Sequence, residues 1–392
     1  MKRKIFKGIL SLLVLVIVLS GAGYISWFFK QKKKIDIFIL DKTVPTKERR
    51  EHKSLFWVLN HERFAKPNQK PYKSSEDYFG FYPLSSEKEE FNFKSLAMTD
   101  LKPLAESVDV AYYTDTYGVY YKDWYSNKSP KIKPRQKVYG GLNHTDYLFL
   151  KELKEKNKTI ITEFVMLGEP TSDLVREKTE TLFDIQWKGW VGKYFHTLDT
   201  AKTGQNAVPG WIVKLYMNRN NERWNFNQGG LVLVHKYGKV IILEDNSELY
   251  GKTLQINTDS TFRKKYNLPA EILYPNWFDI VLNKGDNETP ANFNISTTLK
   301  GDSLLKANGL KASFPAIIHK EEDYSFFYFA GDFADNPVKT WYLHIEGIRK
   351  INSVLCSKKN NPSEAFFWHY YVPLIDKILN DTYNKKTKSN SF

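Results

Sequence analysis

Apolar positions in this chain fall into three patterns, and each predicts a different kind of element. The first is a solid block. Gly8 to Phe29 carries no charged residue, with Lys2, Arg3, Lys4 and Lys7 before it and Lys30, Lys32, Lys33 and Lys34 after it. At about 1.5 Å rise per residue, such a block crosses a hydrocarbon core of roughly 30 Å. The second pattern is the short β-branched or aromatic run bounded by turn residues, which predicts a buried strand. It occurs at 35–40 before Asp41, at 108–113 before Asp115, at 158–162 before Glu163, and at 324–330 before Asp332. The third is helical spacing. Leu55, Phe56, Leu59 and Phe64 form one stripe within 51–64, and further helices are predicted over about 145–156, 169–183 and 363–379. Thr145 is the expected N-cap of the first of these, and Pro373 is expected to kink the last.

The organisation follows from the order of these elements. Strand and helix alternate through 35–195, and the pattern returns over 313–380. That alternation predicts an α/β domain with a parallel sheet covered by helices. Residues 196–312 read as a β-rich insertion, with 231–243 forming a hairpin around a glycine-bearing turn. Residues 65–100 read as polar and irregular apart from the aromatic patch from Tyr78 to Tyr82, and 381–392 as a polar tail, unstructured from Asn384. Residues 1–34 read as a membrane anchor. Ser20-Gly21-Ala22 leaves open a cleaved signal peptide. The run continues past it, however, through Tyr24, Trp27, Phe28 and Phe29, aromatics of the kind that sit at a membrane interface. A core helix would show a polar face, and this block has none. Basic residues balance on the two sides, so the default for a short N-terminal tail applies and the main domain is expected outside the cytoplasm.

Charge and cysteine usage narrow the classes. Removing residues 1–34 takes away eight basic residues and no acidic ones, lowering the formal charge from +14 to +6. No arginine-rich stripe remains, so nucleic acid is not an expected partner. The basic block beside the anchor suits anionic lipid head groups instead. Cys356 is the single cysteine, which rules out an internal disulfide. Aromatics make up 15% of the chain; they suit either a sugar-stacking cleft or simply an aromatic core.

Four strand candidates finish on carboxylates: Asp41, Asp115, Glu163 and Asp332. In open parallel sheets, ligands bind beyond the carboxyl ends of the strands, so these acids are expected to converge on one rim. Clustered acids can hold a cation, bind sugar hydroxyls, or act as general acid and base. Each can equally cap a turn. Asp115, Glu163 and Asp332 are the candidate catalytic residues; Asp41, Tyr117, Asp335 and Asn336 are candidate ligand-binding residues. Glu244-Asp245-Asn246 is a further acidic turn. Nucleophile elbows, phosphate-cradling glycine loops and paired zinc-type histidine spacings are all missing. No metal site or cofactor is therefore assigned, and His52, His61 and His344 are kept as accessory groups.

Gly140-Gly141-Leu142 with the helix after it, Thr159 to Phe164, and Tyr328 to Asp332 together resemble the class I glutamine-amidotransferase-like fold. The likeness is to its divergent branches, the ThuA-like proteins and the trimerisation domain of certain β-galactosidases. It implies a flavodoxin-like three-layer sandwich with a β-rich insertion. It does not imply amidotransferase activity, because the cysteine on an elbow is missing. Divergent members often accompany carbohydrate metabolism. The expected function is thus a membrane-anchored envelope protein that binds or processes carbohydrate, with a non-enzymatic scaffold in an envelope assembly as the alternative.

Overall fold

The computed structural model describes residues 2–85, 90–125, 136–202, 204, 207–322, 324–340, 342–356 and 361–389. Its centre is a set of strands buried on both faces. Every residue of Ile37–Asp41, Val110–Asp115 and Thr159–Thr162 is buried, as is all of Ser325–Phe329 except Ser325. Such unbroken apolar runs are what a parallel sheet with both faces covered requires. These four strands lie side by side and parallel, in the order Ser325–Phe329, Thr159–Thr162, Val110–Asp115, Ile37–Asp41. The register sets Phe326 beside Ile160 and Tyr112 beside Ile161, while Asp41 pairs with Asp115.

Among the described residues ten strands make up this sheet. Beyond Ile37–Asp41 come the parallel strand Phe79–Ser85 and its antiparallel partner Glu90–Lys94. The sequence pattern predicts an irregular stretch here. Pro83 obscures the strand, since proline cannot donate to a ladder and normally argues against a strand interior. On the other flank, Ser313–Glu321, Glu288–Thr297, Leu249–Thr258 and Glu271–Leu273 continue the sheet antiparallel. A second, antiparallel sheet has the order Val240–Glu244, Gly230–His235, Ile185–Phe195, Phe278–Asn283, and contains the expected hairpin. Phe278 joins it to the main sheet, its ring 5.4 Å from Phe293 and 5.5 Å from Phe314. The fold is mixed α/β.

Helices Leu101–Ser107, His144–Glu155 and Asp173–Phe183 pack against one another, and Arg50–His61 packs against the C-terminal helix Val372–Ser389. The His144–Glu155 helix is capped by Asn143 rather than Thr145. Asn143 Oδ1 accepts from Asp146 N at 2.9 Å, and Asp146 Oδ2 accepts from Asn143 N at 2.8 Å, a reciprocal box that needs its two members three residues apart. Near Pro373 the helix does not simply kink. A π-helical turn over Phe367–Tyr371 lies just before it, a widening that relieves the clash between proline and the carbonyl four residues earlier. Residues 381–389, read as tail, are the last turns of that helix. Lys386 fixes them, its Nζ 2.6 Å from Asp109 Oδ2.

The N-terminal helix Lys2–Phe29 contains one stretch, Phe6–Phe29, long and apolar enough to cross a membrane. Almost all of its apolar side chains are exposed; Trp27 is buried.

Where Phe79–Ser85 joins the central strands, Gly80 has a φ of 139°, and a Cβ there would strike the Asp41 carbonyl. Gly80→Ala is therefore expected to destabilise the fold by roughly 3 kcal/mol or more, measured by thermal or chemical unfolding. An unchanged unfolding midpoint would show that the strands do not approach so closely.

Candidate functional site

Because the four central strands are parallel neighbours, their last residues share one edge of the sheet. Asp41 and Asp115 are the final residues of their strands, Glu163 follows Thr162, and Asp332 stands three residues beyond Phe329. Thr43 ties the first two together. Its backbone N–H donates to Asp41 Oδ1 at 2.9 Å, and its hydroxyl donates to Asp115 Oδ1 at 2.7 Å while accepting from Gly118 N at 2.7 Å. Tyr117 N also donates to Asp115 Oδ1, at 2.6 Å. Just below, the buried Lys42 reaches Asp146 Oδ2 at 2.5 Å and the Gly141 carbonyl at 2.9 Å. That ion pair pins the strand end to the His144–Glu155 helix.

Each expected residue has a distinct environment. Glu163 is 1% exposed; Tyr112 OH donates to its Oε1, and Phe333 N and Ala334 N donate to its Oε2 at 2.8 and 3.0 Å. Asp332 is half-buried, and Asn276 Nδ2 holds its loop by donating to the carbonyls of Asp332 and Asp335 at 3.0 and 2.9 Å. Asp335 Oδ1 is 3.4 Å from Arg50 Nη2. Tyr117 is 39% exposed, its ring 4.9 Å from that of Tyr120. Asn336 points inward, its Nδ2 donating to Phe333 O at 2.6 Å and Ser54 Oγ at 3.3 Å. That amide shapes the loop instead of facing a ligand. Asp245 lies apart, accepting from Tyr194 OH at 2.6 Å within the second sheet.

The electrostatics bind these groups into one cluster. Burial, then the Asp41 charge, pushes the Asp115 carboxyl up to about 7. Burial outweighs three donors and raises Glu163 to about 8. Asp332 is raised well above the usual range by burial and by Asp335, Asp115, Glu163 and Glu51. Glu51, in the first turn of the Arg50–His61 helix, is raised by burial and by Asp41, Asp115 and Asp335. Burial lowers the facing Lys193, while Asp332 and Asp335 oppose that shift. Asp115 and Glu163 are thus held near neutrality, and Asp332 and Glu51 are shifted the same way, by burial first and by neighbouring carboxylates second. That is the requirement for general acid–base work.

Histidine contributes less than its position suggests. His52 Nδ1 is 2.6 Å from Asp41 Oδ2, and its Nε2 is 3.1 Å from the Ser74 carbonyl. Both nitrogens are thus committed inside the protein. His61 and His344 belong to the other end of the sheet, beside Leu343 and Trp27. Glu51, Thr43, Arg50 and Lys193 were not legible as site residues. Only Glu51 and Arg50 carried a signal, in the first turn of the helix after a strand-end acid.

Among the described residues no group of three His, Cys, Asp or Glu side chains is arranged to hold a metal ion. A cavity of about 400 Å³ lies elsewhere, lined in part by Lys30, His61, Glu62, Arg349 and Trp368, and none of the clustered acids lines it.

No family model matches the chain, and no curated protein does. Among solved structures, a ThuA-like protein of Parabacteroides merdae aligns with a TM-score of 0.35 and 9% identity, over 76% of this chain and 79% of that one. A ThuA-like protein of Bacteroides uniformis aligns at 0.32 and 10%, over 85% of this chain and 97% of that one. Likenesses this distant carry no conclusion about activity.

The raised acids fix a pH dependence. Unfolded Asp and Glu titrate near ~4. A folded acid held at about 7 or 8 keeps its proton where the unfolded chain has lost it. Stability should therefore fall as pH rises from about 5 to about 8, then level off. A thermal melt of the detergent-solubilised chain is expected to drop by ~5 °C or more over that window. Glu163→Gln and Asp115→Asn should each flatten the slope; a melt that is level or rises with pH contradicts it.

Proposed function

We propose that this chain is a single-pass, membrane-anchored envelope protein whose α/β domain uses its strand-end carboxylates to bind or process a neutral, hydroxyl-rich ligand of the carbohydrate class. The domain is read as a three-layer, flavodoxin-like and catalytically divergent relative of the class I glutamine-amidotransferase-like fold. The observation that carries the reading is the shared sheet edge on which the parallel strands place Asp41, Asp115, Glu163 and Asp332, with Thr43 bridging the first two; Glu51 and Asp335 act on the same groups electrostatically.

Such a cluster repels anions and accepts hydrogen bonds from hydroxyl groups, which favours sugars over phosphorylated or acidic ligands. Asp115 and Asp332 would act as the acid–base pair. Glu163, with both oxygens occupied, would set their proton balance from behind. Tyr117 and Tyr120 offer ring faces for the apolar side of a pyranose. The second reading, a non-enzymatic scaffold, draws support from the same donors on Glu163 and from the position of the 400 Å³ cavity away from the acids.

The full chain in detergent, titrated calorimetrically against a panel of neutral and acidic oligosaccharides, separates the two. The carbohydrate reading expects a neutral glycan to bind and Asp115→Asn with Asp332→Asn to weaken it about tenfold or more. Absence of any glycan signal, together with a stable crosslinked partner from the membrane, favours the scaffold.

A further inference from the structure

The end of the sheet opposite the acids grips the N-terminal helix in an unexpected place. Glu346 N donates to the Gly23 carbonyl at 3.0 Å, and Ile345 packs where a Gly23 side chain would be. The His344 ring lies 4.2 Å from Trp27, whose Nε1 donates to His61 O at 3.0 Å. Gly23 precedes Phe29 by six residues, or about 9 Å along a helix. The segment before residue 348 therefore meets the helix within its apolar stretch, not beyond its end.

Helix Ile348–Leu355 follows directly, and it is built inside out for a soluble protein. Ile351, Val354 and Leu355 share one face and are 52%, 84% and 75% exposed. The domain holds its polar side together with Ile348 at its start. Arg349 Nη1 lies 2.8 Å from Asp376 Oδ2 and 3.5 Å from Glu62 Oε1, and Glu62 also holds Lys30 at 2.7 Å. Lys30, in turn, stands 3.5 Å from Glu346. An amphipathic helix fixed by its charges with its apolar face turned out matches a surface that is itself apolar.

We propose that Ile348–Leu355 is a second membrane-contact element, lying in the interfacial plane of the bilayer that the N-terminal helix crosses. Ile351, Val354 and Leu355 enter the acyl boundary, and the exposed Lys350 joins the exposed Lys32 and Lys34 in facing anionic head groups. The occupant follows from continuity, since the helix is tethered to the apolar stretch two residues after Glu346, and from the basic cluster around it. The proposal rests on reading Lys2–Phe29 as a membrane span. It adds a fixed orientation: two contacts hold the domain against the bilayer, with the strand-start end of the sheet toward lipid and the acid cluster away from it.

The test uses the full chain in nanodiscs containing anionic phospholipid, on a Cys356→Ser background. Single substitutions Val354→Cys, Val16→Cys and Leu174→Cys carry an environment-sensitive fluorophore, with quenching by lipid-borne nitroxide and by aqueous iodide as readouts. Leu174 is 63% exposed, in the first turn of the helix after the Glu163 strand, at the far end of the sheet. The proposal expects labels at 354 and 16 to be quenched by nitroxide and to lose iodide quenching, and the label at 174 to do the reverse. A lipid-quenched label at 16 with an iodide-accessible label at 354 overturns the docking and leaves the span intact. Iodide access at both 16 and 354 removes the span and the docking together. Shielding of 354 from both quenchers means that a protein surface, such as a second copy of the chain, covers the helix, and also overturns the proposal.

Discussion

Parallel alignment of four consecutive sheet strands is the constraint from which the rest of this molecule follows. Parallel neighbours end on the same side, so acids at their tips meet whether or not that is electrostatically welcome. Antiparallel pairing would have sent Asp41 and Asp115 to opposite edges. The apolar burial of the strands is what drives the alignment, and the acids are carried along by it. Their desolvation and mutual repulsion oppose folding and shift their proton affinities toward neutrality. The compensating contacts are local: Thr43 between two carboxylates, backbone N–H groups on Glu163, and Arg50 beside Asp335.

The two ends of the sheet have opposite characters. At the strand ends, carboxylates outnumber the nearby Lys193 and Arg50. At the strand starts, the chain enters from an apolar helix through Lys30 to Lys34, and Glu62, Asp376 and Arg349 form compact ion pairs. On the proposed reading this polarity links anchoring to chemistry: a domain held by its strand-start end directs its acid cluster away from the point of attachment.

Much of the central sheet was legible because buried parallel strands write themselves as short unbroken apolar runs. The runs before Asp41, Asp115, Glu163 and Asp332 all became strands of it, within two residues of their expected limits. The Phe79–Ser85 strand was hidden by Pro83, and the C-terminal turns by their lysines, which gain order only from distant partners such as Asp109. The convergence of acids could be inferred from strand order. Their environments could not, since whether a carboxylate faces a ligand or the protein depends on contacts far away in sequence. Asn336 shows this: in the chain it sits beside two acids, and in the fold its amide is spent on Phe333 and Ser54. Glu51 shows the reverse: its place in the first turn of the helix after a strand-end acid is a faint signal beside the apolar stripe, yet it acts on the cluster.

At neutral pH this edge of the sheet is expected to hold protonated carboxyl groups, Asp115 and Glu163 among them. Infrared difference spectroscopy of the chain with carbon-13-labelled aspartate and glutamate side chains measures that directly. Protonated carboxyl bands should persist at pH about 6, and the components lost in Glu163→Gln and in Asp115→Asn should be those that titrate between about 6 and 9 in the unsubstituted chain. Complete ionisation of every carboxyl group by pH about 6 would contradict the account.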